Sequence, residues 1–130
     1  MSSIEYLRIY ADENGCSHFE TGKSELSASS YAPPAPNLNT STIETANKYV
    51  FLELPIGWSG DWHPTPVRQW LALMSGECEF EAGDGEREKK GPVILFCSMI
   101  QLVKDIKRGF LGRSRLEYLP CIFLKVYSKT

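Results

Sequence analysis

The stretch GDWHPTPVRQ, residues 60–69, gathers side chains suited to proton transfer and polar binding: Asp61, Trp62, His63, Thr65, Arg68 and Gln69. The imidazole of His63 titrates near neutral pH, so it can give or take a proton without help from a metal. Asp61 precedes it by two residues and, in an extended stretch, shares its side of the chain, where a carboxylate orients the ring. Arg68 offers a forked cation for a carboxylate or enolate oxygen. Gln69 offers a neutral amide, and Trp62 a flat apolar wall for a ring-shaped ligand. His63 and Asp61 are therefore the candidate catalytic residues, with Trp62, Thr65, Arg68 and Gln69 as candidates for binding substrate. Arg68 and Gln69 are neighbours, so in a strand only one of them points inward. A plainer arrangement uses the same residues structurally: Asp61 caps the loop, Arg68 sits at the surface, and His63 hydrogen-bonds backbone.

Metal chemistry asks for more donors than this stretch supplies. Mononuclear sites usually have three or more protein ligands. Here His63 is one good donor, Gln69 a neutral oxygen and Thr65 a poor ligand. The other histidine, His18, completes a set of His63, Gln69 and His18 only if the fold brings them together. The expectation is no cofactor, with iron, manganese, zinc or nickel as the alternative. His18 alone, in CSHFE with no local partner motif, reads as a structural hydrogen-bonder. The cysteines at 16, 78, 97 and 121 lack C-x-x-C spacing, which argues against a zinc knuckle or a redox pair. Cys78, Cys97 and Cys121 lie in apolar stretches, where a thiol packs as a small hydrophobe.

The elements that must position these residues read as strands. SIEYLRIYA alternates apolar and polar residues, and DENG then turns the chain. Residues 22–48, rich in Ser, Ala, Pro, Asn and Thr, read as an arm laid across a surface. Prolines remove donors and push their predecessors toward extended geometry. KYVFLELP is a further strand, and GWSGDWHPTP a loop. VRQWLALM and ECEFEA follow, with Glu77, Glu79 and Glu81 on a wet face and Cys78 and Phe80 on a buried one. The GDG turn at 83–85 makes a hairpin with the charged EREKK. VILFC and CIFLKVYSK are the last apolar strands. SMIQLVKDIKRGF is ambiguous: Met99, Leu102, Val103, Ile106 and Phe110 recur at helical spacing, while its breakers also permit strand, turn and loop. Short strands at regular spacing point to an all-β sandwich or barrel.

Composition sets the outer bounds. At 130 residues with 42% hydrophobic and 23% charged content, the chain is the size of one domain with one core, residues 1–130. A net charge of -2 leaves no basic footprint for nucleic acid. No apolar run is long enough to cross a membrane, and the first residues lack the pattern of a signal peptide. A cytoplasmic protein acting on a small molecule is the expectation.

The run from Gly57 to Gly85 resembles the first motif of the cupin superfamily, G-x5-H-x-H-x3–4-E-x6-G, with Gly76 at its closing glycine. His63 falls on the first histidine, Thr65 on the second and Gln69 on the glutamate. YADENGCSHFE, the APPAP arm and GWSGDWHPTPVRQ together are similar to a group of small single-domain cupins over residues 4–92. The resemblance implies an antiparallel β-barrel, the double-stranded β-helix or jelly roll, with a core over 49–128 and the Pro-rich arm of 22–48 wrapped over it. The last third departs from the group: KDIKRGF stands where a GKGH-like segment belongs, and Phe110 takes the place of its histidine. Phe110 thereby becomes a candidate wall of the substrate pocket. A cupin with so reduced a ligand set implies metal-independent proton-transfer chemistry, of isomerase, cyclase or lyase type, as in secondary metabolism. The alternatives are an iron- or manganese-dependent dioxygenase, or a ligand-binding cupin that does no chemistry. Cupins commonly pair through edge strands, which implies a homodimer with SIEYLRIYA as the pairing strand.

Overall fold

The computed structural model describes residues 2–56, 58, 68–97, 107–109 and 121–128. Among them every regular element is a strand: β1 (Ser2–Ala11), β2 (Ser17–Ser29), β3 (Leu38–Thr40), β4 (Ala46–Leu54), β5 (Gln69–Ser75), β6 (Cys78–Glu81), β7 (Arg87–Lys90), β8 (Val93–Cys97), β9 (Lys107–Gly109) and β10 (Cys121–Ser128). The all-β expectation holds. A seven-stranded sheet runs β3-β2-β1-β8-β5-β10-β4, and a three-stranded sheet runs β7-β6-β9. The large sheet is mixed rather than purely antiparallel, because β1 and β8 run parallel. No helix among the described residues is long and apolar enough to cross a membrane.

Period-two alternation decides which side chains meet. On β5, Leu71 and Leu73 are buried; on β8, Leu95 and Cys97; on β10, Cys121 and Phe123; and Ile9 joins them from β1. From the small sheet come Cys78 and Phe80, with Glu79 and Glu81 on the other face of β6. Phe80 meets Phe123 edge to face, with ring centres 6.4 Å apart. The core therefore lies between the sheets, and each fully buried Phe or Leu contributes about 1.5–3 kcal/mol. Cys78, Cys97 and Cys121 pack there as free thiols. Burial raises the Cys121 thiol pKa, and a hydrogen bond with Cys78 partly opposes that rise.

The hairpin turns follow from their residues. In DENG, the Asp12 carboxylate accepts from the backbone N–H groups of Asn14 and Cys16, at 2.9 and 3.0 Å. Gly15 supplies the positive φ, 79°. In the β6–β7 turn the Asp84 carboxylate accepts from Glu86 N at 2.9 Å, and Gly85 takes φ 90°. This second turn reaches the start of β2, where Gly83 N donates to the Ser17 hydroxyl and Asp84 N to the Ser17 carbonyl.

The strand pairing revises several sequence expectations. The arm expected over 22–48 is strand in its first part, since Gly22–Ser29 belongs to β2 and pairs with β1 as far as Ser2↔Leu26. Serine and alanine are weak strand formers, but a partner strand in register overrides propensity. β3 then folds back on β2. β1 is also no edge, because β2 and β8 flank it. β8 covers only Leu7–Ile9 of it. Of the ambiguous 98–110 stretch only Lys107–Gly109 lies within the described residues, and these are strand, paired with β6.

Glycine matters most at position 22. A Cβ built there would run into the Tyr6 ring at Cε2 and Cζ. The missing side chain lets the Tyr6 ring lie flat over β2. From there Tyr6 meets Trp70 and Phe96 edge to face, at 4.8 and 6.1 Å.

Candidate functional site

β5 carries the described end of the GDWHPTPVRQ stretch and divides it between two faces. Gln69 shares the inner face with Leu71 and Leu73 and is only 2% exposed. Cys97 on β8 and Tyr127 on β10 are its register neighbours, and Ile9 pairs with Cys97 one strand further on. Among the described residues the Gln69 amide oxygen, Oε1, has no hydrogen-bond partner. A carbonyl left unpaired in an apolar setting costs about 1–3 kcal/mol. The inner face of the described residues thus presents a buried acceptor at the start of β5. It would take a hydrogen bond from a hydroxyl, enol or amide of a bound molecule.

Arg68 points the other way. Its guanidinium lies over the Phe96 ring, 5.2 Å from the centre, and Phe96 tilts against Trp70 with ring centres 4.2 Å apart. Arg68 Nε is buried without a partner among the described residues. Its carbonyl accepts from Ser128 N. Strand alternation sets the outcome, and Arg68 and Gln69 are not brought to one site. On this outer face a cavity of about 490 Å³ opens over Tyr6, Trp70, Ile4 and Ile94, and Ser41 and Glu44 also line it. The stretch after β3 thus contributes to the wall of this cavity. Trp70 is a packing residue of this cluster.

His18 stands elsewhere. It opens β2 on the side opposite Ser17 and Phe19, stacked on Tyr10 at 5.5 Å. β1 and β8 separate β2 from β5. At a strand spacing of about 4.8 Å that is roughly 14 Å across the sheet. His18 and Gln69 also project from opposite faces, so they cannot ligate one ion. The alternative of one metal site shared by His18 and Gln69 is therefore not met. Asp61, Trp62, His63, Thr65 and Phe110 lie outside the described residues.

What His18 does have is two carboxylates. Asp12 Oδ2 lies 2.8 Å from Nε2, and Asp84 Oδ2 lies 2.7 Å from Nδ1. The hydrogen bonds to Asp12 and then to Asp84 hold the imidazole above its ordinary pKa. The bond from His18, and next that from Cys16 N, hold the Asp12 carboxyl below its ordinary value. Sequence reasoning named His18 as a hydrogen-bonder but not its partners. Asp12 was within reach of local reasoning, two residues ahead of Asn14 in the turn. Asp84 was not, being 66 residues away. No protein-family model matches the chain, and no curated protein matches it significantly.

Proposed function

We propose that the chain is a small-molecule enzyme of the cupin type, its two sheets closing into a jelly-roll barrel with the substrate held between them. The buried Gln69 amide, whose oxygen has no partner among the described residues, carries this reading. A polar group placed in the core at a cost to stability is expected where a ligand completes its hydrogen bonding. Gln69 anchors a substrate hydroxyl or enol oxygen. His63, six residues earlier at the expected barrel mouth, moves the proton, with Asp61 orienting its ring and Trp62, Thr65 and Phe110 closing the pocket. The chemistry is proton transfer at carbon or oxygen, as in an isomerase, cyclase or lyase. Arg68 is left out of the substrate site, since its side chain serves the outer aromatic cluster. The protein acts as a homodimer joined at β4, a sheet edge that displays Tyr49 and Phe51 at 69% and 61% exposure.

The test is solvent-deuterium exchange into a panel of enolisable hydroxy-carbonyl compounds, followed by NMR. The wild type should exchange at least one compound, and His63→Ala should abolish exchange while keeping the fold. Gln69→Leu should weaken binding of that compound. Exchange that survives in His63→Ala would remove the acid/base role from His63. No exchange and no binding of any compound would overturn the enzyme reading.

A further inference from the structure

The two hairpin turns converge on His18 and place three different donor chemistries around one point. One ligating atom each from Asp12, Cys16 and His18 lie within 4.8 Å of one another. We propose that Asp12, Cys16 and His18 bind a borderline-soft divalent cation of the zinc class, with Asp84 holding the histidine from behind. The mixed set of carboxylate, thiolate and imidazole suits zinc or cobalt and does not suit magnesium or calcium, which take oxygen alone.

The geometry needs little adjustment. Zinc bonds of about 2.0–2.3 Å place tetrahedral ligands roughly 3.3–3.7 Å apart. Asp12 Oδ2 and His18 Nε2, now 2.8 Å apart, would open by about half an ångström as the metal replaces the proton between them. The widest pair would close by about 1 Å or a little more. Asp12 is already fixed for the task, because its other oxygen accepts from Asn14 N and Cys16 N. The Cys16 thiol is half-buried, and its hydrogen bond to the Ser17 carbonyl is long, 3.9 Å.

Asp84 supplies an observation of a different kind. A metal-bound histidine commonly gives its other ring N–H to a carboxylate, which fixes the tautomer and strengthens the ligand. Asp84 Oδ2 sits 2.7 Å from Nδ1 in that role. Asp84 comes from the other sheet and is pinned by Glu86 N and by Ser17, so it is set independently of the DENG turn. Metal binding releases the Nε2 proton of the imidazolium and the Cys16 thiol proton, while the Nδ1 proton stays on the ring, donated to the Asp84 carboxylate. Three protein donors leave a fourth position to water, the open form of zinc site. This site is on the outer side of β2 and is separate from Gln69.

The experiment titrates chelator-stripped full-length protein with cobalt and with zinc. One cobalt per chain should give tetrahedral visible bands and a thiolate-to-cobalt charge-transfer band in the near ultraviolet. Cys16→Ser should lose the charge-transfer band, His18→Asn should bind at least tenfold more weakly, and Asp84→Asn should lose about 10–100-fold in zinc affinity. His63→Ala should leave the band intact, which separates this site from any at the barrel mouth. Circular dichroism of each variant checks folding. A band that survives Cys16→Ser, a band lost in His63→Ala, or zinc affinity weaker than millimolar would each overturn the proposal.

Discussion

Gln69→Leu should leave the protein nearly as stable as the wild type while weakening the binding of its ligand. Leucine is close to glutamine in volume, so the swap leaves no sizeable cavity in a site that is 2% exposed. Removing the unpaired Oε1 recovers about 1–3 kcal/mol of desolvation cost. Loss of whatever bond the amide nitrogen makes takes back about 1 kcal/mol, and imperfect fit of the branched side chain takes back under about 1.5 kcal/mol. The balance spans a loss of about 1.5 to a gain of about 2 kcal/mol and centres close to zero. Urea unfolding measures it directly: the midpoint should stay near that of the wild type, with the m-value unchanged. A buried polar group that can be replaced at so little cost while binding suffers marks a site kept for binding. A variant destabilised by more than about 1.5 kcal/mol would refute the reasoning, since it would mean that the amide oxygen is already satisfied and holds the fold together.

Gly22→Ala should destabilise by about 1–3 kcal/mol, because the new methyl group must displace a Tyr6 ring packed against Trp70. In a Tyr6→Ala background the same change should be close to neutral, and a double-mutant cycle in urea reads the difference. The His18 pKa is raised, so its contribution to stability is complete below about 6.5 and is lost as pH rises through the folded value. The Asp12 pKa is lowered, so its contribution is complete above about 3.9 and is lost as pH falls through the folded value. Chelator-treated wild type should therefore lose Tm relative to His18→Asn as pH rises above about 6.5; parallel Tm curves would exclude the linkage. Phe51→Lys, on the exposed β4 edge, should leave circular dichroism unchanged and shift light scattering from dimer to monomer mass. An unchanged mass would place any interface elsewhere.

Much of the strand content was legible because period two is a local property. The alternation of Cys78 and Phe80 with Glu79 and Glu81 named the buried face of β6 before any fold was known. The same rule required Arg68 and Gln69 to part, and the structure buries Gln69 and lays Arg68 on Phe96. The turns at DENG and GDG carried their own signals in Asp and Gly. By contrast, composition misread Gly22–Ser29, because a run of serine and alanine becomes strand only when a partner such as β1 supplies the ladder.

By itself the sequence determined which residues face inward, where the chain turns, and which side chains have the chemistry to act. Only the tertiary structure decided who meets whom. The strand order put β1 and β8 between His18 and Gln69, so these two cannot share a metal ion. The same order brought the β6–β7 turn onto β2, so that His18 acquired Asp84 as well as Asp12. The physical reason is that alternation along a strand is fixed by local stereochemistry, whereas pairing between strands distant in the chain is fixed by burial of the whole core.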